Sequence, residues 1–369
     1  MKKISLVKPE FDPKKLCKDL LKIAESGTLT KGPYLARFEE QLRKYLKIKY
    51  VFATSSCTAA LHLALVVSKI GPSDEVLTSD FSFPATGNVV VQVGAKPVFV
   101  DIDLETLCIN LEDLKRKITK KSKAILVVHA FGYPANMGEI SKIAKKHNLI
   151  VIEDAACALG SKHQNKMLGT WGDIGCFSFH PRKNITTGEG GALVTNNKKI
   201  AEEIEVLKNH GGKRTGTYFK FIRAGFNYRL SEFQAALGVE QMPKIDKITK
   251  ARQNIARKYL RALKDVPGLL LPSEPKDGFF NFQSFVVILP KKINRDEIIK
   301  MLGKKNIESV LGTYAMHAEP SFGELGYRPG MVYNSLYAKE HSLALPLSAK
   351  LTDKEINYIV LNLKQLLEG

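Results

Sequence analysis

Three segments carry residue types that could do chemistry. In GCFSFHPRKNITTGEGGALVTNN (175–197) a short apolar run ends at His-Pro-Arg-Lys and a polar, glycine-bearing turn follows. A lysine in a tight, partly buried turn loses hydration of its ammonium form, so its pKa falls and the neutral amine can attack a carbonyl. Lys183 is therefore a Schiff-base candidate, with an ordinary surface lysine as the plain alternative. The glycines of GEGG permit an unusual backbone path before the next strand. In VIEDAACALGS (151–161) two adjacent carboxylates, Glu153 and Asp154, end a strongly apolar run. An acid there could bind a metal, serve as a base, pair with a positive ring nitrogen of a cofactor, or simply cap a helix. In TSSCTAALHLAL (54–65) small and hydroxyl residues run into a helix with an apolar face. Backbone amides at such a start form an anion site, to which the Thr58 hydroxyl could add a hydrogen bond. The same pattern also describes a plain N-cap.

The elements that must position these residues are legible in the hydrophobic pattern. Apolar runs at 75–79, 97–103, 124–130, 149–155, 176–180 and 191–196 alternate with helix-like stretches. Such a pattern predicts an α/β fold with a mainly parallel sheet covered by helices on both faces. Ligands in that architecture gather beyond the carboxyl ends of the strands, where the candidate residues lie. Residues 231–263 read as a long helical region broken at Pro243. After PGLLLP (267–272), the stretch NFQSFVVILP reads as a strand and NRDEIIKMLGKKN as a helix opened by Asn294. With 369 residues the chain exceeds the usual size of one core. We expect a large domain over 1–244 and a smaller C-terminal α/β domain over 245–369.

Composition narrows the function classes. The chain is 44% hydrophobic and 25% charged, ordinary for a globular protein. No apolar run approaches membrane-spanning length, and the start MKKISLVKPEFDPKK lacks the apolar stretch of a signal peptide, so a cytoplasmic protein is expected. Cys17, Cys57, Cys108, Cys157 and Cys176 match neither zinc-site nor compact disulfide spacing and read as reduced thiols. The formal net charge of +19 could favour an anionic partner, but the basic residues are scattered. A solvated lysine-rich surface explains it better than nucleic-acid binding. No phosphate loop of the G-x-x-x-x-G-K type, H-E-x-x-H zinc helix or G-x-S-x-G elbow is present.

Taken in order, SSCTAALHLAL, DEVLTSDFSFPAT, GAKPVFVDID, VHAFGYPANM, VIEDAACALGS, CFSFHPRKNITTGEGGALVTN, LKNHGGKR and GFNYRLSEFQAALG resemble the DegT/DnrJ/StrS family of sugar aminotransferases. The similarity extends from LTKGPYLARFEE (29–40) to HSLALPLSAKLT (341–352). It implies the aspartate-aminotransferase-like fold type I and pyridoxal 5'-phosphate as cofactor. Lys183 would carry the cofactor and then act as general base and acid, and Asp154 would keep the pyridine nitrogen protonated. The phosphate would be held by Thr58, the amides around Ser56 and Cys57, and Ser178. Phe83 would stack on the ring, although core packing is its plain alternative. GFNYRL (225–230) resembles a segment that reaches the partner's cofactor, with Asn227 as first contact and Arg229 as second, which requires a homodimer.

The resemblance further implies glutamate as amino donor and a nucleotide-diphosphate-linked keto-deoxysugar, a 4-keto-6-deoxyhexose, as acceptor. Lys213, Arg214 and Arg223 are candidates for the diphosphate, with solvated loop charges as the alternative. His210 and His317 lie in loops that would border the sugar. His180 could orient the lysine turn or be structural. Two departures stand out: Cys157 occupies a position where many relatives carry Gln or His near the ring oxygen, and Asn136 replaces a common acid. A related sugar 3-dehydratase carries histidine in place of the lysine, so the intact PRK at 181–183 favours transamination. An aminobenzoate-forming relative keeps the lysine and stays open. A non-catalytic regulator has only the charge in its favour.

Overall fold

The computed structural model describes residues 2–368. Its centre is a seven-stranded sheet formed by β1 (Tyr50–Thr54), β2 (Glu75–Ser79), β3 (Lys96–Val100), β4 (Ser122–Val128), β5 (Ile150–Asp154), β6 (Ile174–Ser178) and β7 (Gly191–Thr195). The strand order is β1-β7-β6-β5-β4-β2-β3. Alternate residues of the strands enter two different cores. Leu77, Ile125, Val127 and Val151 pack under helices Pro33–Leu46, Met137–His147 and Glu232–Gln241. Val76, Ala124, Leu126 and Ile152 pack under helices Cys57–Val67, Ala85–Gln92 and Lys198–Leu207. Helices on both faces explain why β2, β4 and β5 are buried along nearly their whole length.

The six expected strands are present, with ends shifted by a few residues, and β1 is an addition. One strand departs from the parallel expectation: β7 runs antiparallel to both β6 and β1. The connection from Ser178 to Gly191 is filled by the lysine turn and a polar loop and contains no helix. Without a crossover helix the chain returns as an antiparallel neighbour. The order reverses between β2 and β4, so the carboxyl ends of β2, β5 and β6 border one cleft.

The helical region breaks as expected, into Glu232–Gln241, a single 3₁₀ turn Met242–Lys244 holding Pro243, and Ile245–Leu263. Ile245 and Ile248 belong to the first core, whereas Ile255, Ala256, Tyr259 and Leu263 belong to a second. That second core lies under the antiparallel sheet of β8 (Phe285–Ile288), β9 (Val310–Leu311) and β10 (Ser342–Leu345), ordered β8-β10-β9. Helix Arg295–Lys304 is opened by Asn294, whose side chain accepts from the amides of Asp296 and Glu297. We propose residue 245 as the division between a larger and a smaller domain, with Ile4 joining the smaller through its bridge to Ile307. Among the described residues no helix is long and apolar enough to cross a membrane.

Candidate active site

Adjacent residues of a strand point to opposite faces, and this separates the two carboxylates at the end of β5. Glu153 is fully buried and accepts from the amides of Gly169, Trp171 and Gly172 and from His129 Nε2, at 2.6 to 2.9 Å. With its lone pairs occupied it fastens a loop. Asp154 lies on the other side, where Thr86 Oγ1 donates to its Oδ2 at 2.9 Å and the Ala156 amide to its Oδ1 at 3.1 Å. Ser82 Oγ in turn lies 2.8 Å from Thr86 Oγ1. Burial raises the Asp154 pKa above the carboxylate norm, against the opposing effects of Thr86, Ala156 and Lys183. Ser82 and Thr86 were not identified from the sequence. The only signal was a pair of hydroxyls in SFPAT after a predicted strand.

Lys183 follows β6 in a turn closed by its own amide donating to the His180 carbonyl at 2.9 Å. Its Nζ lies 3.1 Å from Cys157 Sγ, and Cys57 and Asp154 are close enough to act on its charge. Burial lowers the amine pKa, but Cys157, Cys57 and Asp154 together outweigh it and leave the value above that of an ordinary lysine. This corrects the expectation of a depressed lysine: desolvation is present, and the acidic neighbours win. Cys157 is thus brought against the amine. His180 is half-exposed and its Nδ1 accepts from the Arg182 amide at 3.2 Å, which shapes the turn.

Ser56 caps helix Cys57–Val67, its side chain accepting from the Ala59 amide. The first-turn amides of Cys57 and Thr58 have no partner within the helix and carry the positive end of its dipole. A Cβ on Gly191 would stand 2.5 Å from the Cys57 nitrogen, so glycine lets β7 lie against this helix end. Ser178 pairs with Gly191 across the sheet and so faces the same helix end. The GEGG glycines thus matter chiefly through close approach, with Gly188 alone among Gly188, Gly190 and Gly191 at a positive φ, of 82°. Phe83 is 66% exposed and touches Tyr314 edge-on at 6.2 Å between centroids.

Other predicted residues lie elsewhere. Asn227 bridges Asn209 and Arg229 bridges Thr54, and between them the Tyr228 carbonyl accepts from the Ser55 amide at 3.0 Å. Among the described residues, neither side chain is hydrogen-bonded to Lys183 or Asp154. Lys213 and Arg214 are exposed on the hairpin Gly212–Thr215/Tyr218–Phe221, and His210 precedes it with a positive φ of 60°. Arg223 is already paired with Glu203 at 2.8 Å. Asn136 caps helix Met137–His147. His317 is buried: it is 1% exposed, with Nδ1 2.6 Å from Asp80 Oδ2 and its amide donating to Asp80 Oδ1. It closely follows the strand Tyr314–Ala315, which pairs with residues 81–82, and that pairing brings it against Asp80.

A helix N-terminus with facing hydroxyls suits a phosphate, a buried carboxylate suits a protonated ring nitrogen, and an amine between them suits an aldehyde. The donor set therefore fits pyridoxal 5'-phosphate. Together with the sheet order, it defines a fold type I pyridoxal-phosphate-dependent transferase. The sequence profile of the DegT/DnrJ/EryC1/StrS aminotransferase family matches residues 12–364, and the chain belongs to that family. It is 38% identical over 361 residues to an uncharacterized protein of Methanocaldococcus jannaschii, covering 94% of each chain. It is 35% identical to a GDP-perosamine synthase of Vibrio cholerae, covering 91% of each. A crystal structure of a DegT DnrJ EryC1 StrS aminotransferase from Brucella abortus superposes with a TM-score of 0.89 at 31% identity, covering 96% of both chains. The protein is a sugar aminotransferase, and its cofactor is pyridoxal 5'-phosphate.

Proposed function

We propose that the chain transfers an amino group from glutamate to a nucleotide-diphosphate-linked keto-deoxysugar, a 4-keto-6-deoxyhexose, as a cytoplasmic homodimer. The observation that carries this reading is the convergence of Lys183 and Asp154 at the carboxyl edge of the sheet, beside the free end of helix Cys57–Val67. The named activity of the Vibrio cholerae relative supports the nucleotide-sugar class. The cofactor, when bound, supplies an aldehyde for covalent attachment and a ring that accepts electrons. Lys183 would be the point of attachment, and its amine would take and return the proton. Asp154 holds a ring cation that offsets the cost of its own buried charge. Ser56, Cys57, Thr58 and Ser178 would hold the phosphate, and Phe83 would offer the ring an aromatic contact. Cys157 contacts the amine of Lys183. Asn227 and Arg229 reach the partner's site, and Lys213, Arg214 and His210 border the substrate.

The reading is tested by offering 4-keto and 3-keto nucleotide sugars with glutamate, alongside free keto sugars and keto acids. Amination confined to a nucleotide-linked 4-keto sugar is the expected result. Equal use of free keto sugars or keto acids overturns the substrate class.

A further inference from the structure

Residues 280–284, between strands Gly278–Phe279 and β8, cross from the second core to the back of the lysine turn. Phe282 sits at a φ of 48°, a left-handed conformation that a bulky residue adopts only when its surroundings impose it. Those surroundings are fixed donors. Buried Arg252 donates to the carbonyls of Phe282 and Gln283, and Gln253 Nε2 donates to the Phe280 carbonyl at 2.7 Å.

From this braced segment two buried amides reach into the site. Asn281 Nδ2 donates to the carbonyls of Cys157 and Leu159, each at 2.9 Å, and its Oδ1 accepts from the Gln283 amide. Gln283 Nε2 donates to the carbonyl of Arg182 at 2.7 Å, and Ser284 Oγ donates to its Oε1 at 3.0 Å. Arg182 immediately precedes Lys183, and Cys157 is the residue whose sulfur meets the lysine amine. One short segment therefore grips both the backbone from which the Lys183 side chain springs and the backbone of the group at its tip. Asn281 and Gln283 also line a small pocket with Cys157, Ser178, Lys183 and Asn184.

We propose that Gln283, supported by Asn281, is a positioning residue through which the smaller domain sets the reach of Lys183. This rests on the functional reading above, in which Lys183 attaches the cofactor. Buried amide-to-carbonyl bonds are costly to leave unmade, so losing Gln283 frees the Arg182 carbonyl to shift and the lysine turn with it. Small displacements of a reacting group are expensive in rate.

The test compares Gln283→Met with Gln253→Met in the full chain. Each removes one buried amide-to-carbonyl bond of the same segment, but only Gln283 touches the lysine turn. Pyridoxal phosphate is added to the apoprotein, and the rate at which it becomes fixable to Lys183 by borohydride is followed, together with kcat and KM. Gln283→Met lowers the attachment rate and kcat about tenfold with KM within about twofold, while Gln253→Met leaves all three within about twofold. Equal effects of the two variants, or wild-type rates in Gln283→Met, overturn the proposal. Should Gln283→Met not fold, Ser284→Ala decides, since it frees Gln283 Oε1 and keeps the amide: slower attachment supports the proposal and a wild-type rate overturns it. Wild-type protein in which no cofactor is fixed at Lys183 would instead sink the functional reading on which the proposal rests.

Discussion

The amine of Lys183 lies 3.1 Å from the sulfur of Cys157, in a setting where burial alone would lower its pKa and the neighbouring thiols and Asp154 raise it. Attachment to an aldehyde requires the neutral amine, so this contact places attachment at a higher pH than burial alone would. Cys157→Ala removes the first of the raising influences. The pH midpoint of cofactor attachment to the apoprotein should therefore move down. A midpoint that stays or rises would show that the sulfur does not govern the amine.

Asp154 makes a prediction of two opposite signs. Its pKa is raised in the folded protein chiefly by burial, so the stability linked to its proton is present below the unfolded carboxyl pKa and is lost as pH rises through the folded one. Wherever Asp154 is ionised, the cofactor-free protein carries a buried charge at a cost. Asp154→Asn apoprotein should melt no lower than wild-type apoprotein at neutral pH, with the wild type gaining relative to the variant as the solution is acidified. In the holoenzyme the same substitution should lower kcat on the order of a hundredfold with little change in KM, because the carboxylate acts where charge develops in the transition state. Near-normal kcat would remove Asp154 from the chemistry, and a large fall in the apoprotein melting temperature would make it structural.

Asn227 lies in a segment fastened beside Ser55 and carries no hydrogen bond to Lys183 or Asp154 of its own chain among the described residues. If it completes the partner's site, Lys183→Ala and Asn227→Ala proteins, each inactive, should recover activity when mixed and allowed to exchange subunits. One hybrid site in such a dimer has both native residues. Absence of recovery after demonstrated exchange counts against a shared site.

Much of the site was legible because its parts are local. Lys183, Asp154 and Ser56 each sit at the end of a strand or the start of a helix that hydrophobic runs and capping residues announce. What the sequence hid are contacts between distant positions. Thr86 meets Asp154 from 68 residues away, Gln283 meets Arg182 from 101, and Asp80 meets His317 from 237. No periodicity encodes such pairings, and for that reason His317 read as a loop histidine near substrate when it is buried against an aspartate. The reversed direction of β7 was hidden for a related reason, since an apolar run states that a strand is buried and not which way it runs. The lysine pKa failed differently: desolvation was foreseen, but its sign was decided by thiols and a carboxylate that only the folded chain assembles.

The central claim is that Lys183 holds the cofactor, and borohydride reduction of the wild-type holoenzyme followed by peptide mapping tests it most directly. A single cofactor-bearing peptide containing Lys183 is predicted, and Lys183→Ala should fold yet yield none. Label on another lysine, or a labelled Lys183→Ala protein, would contradict the account.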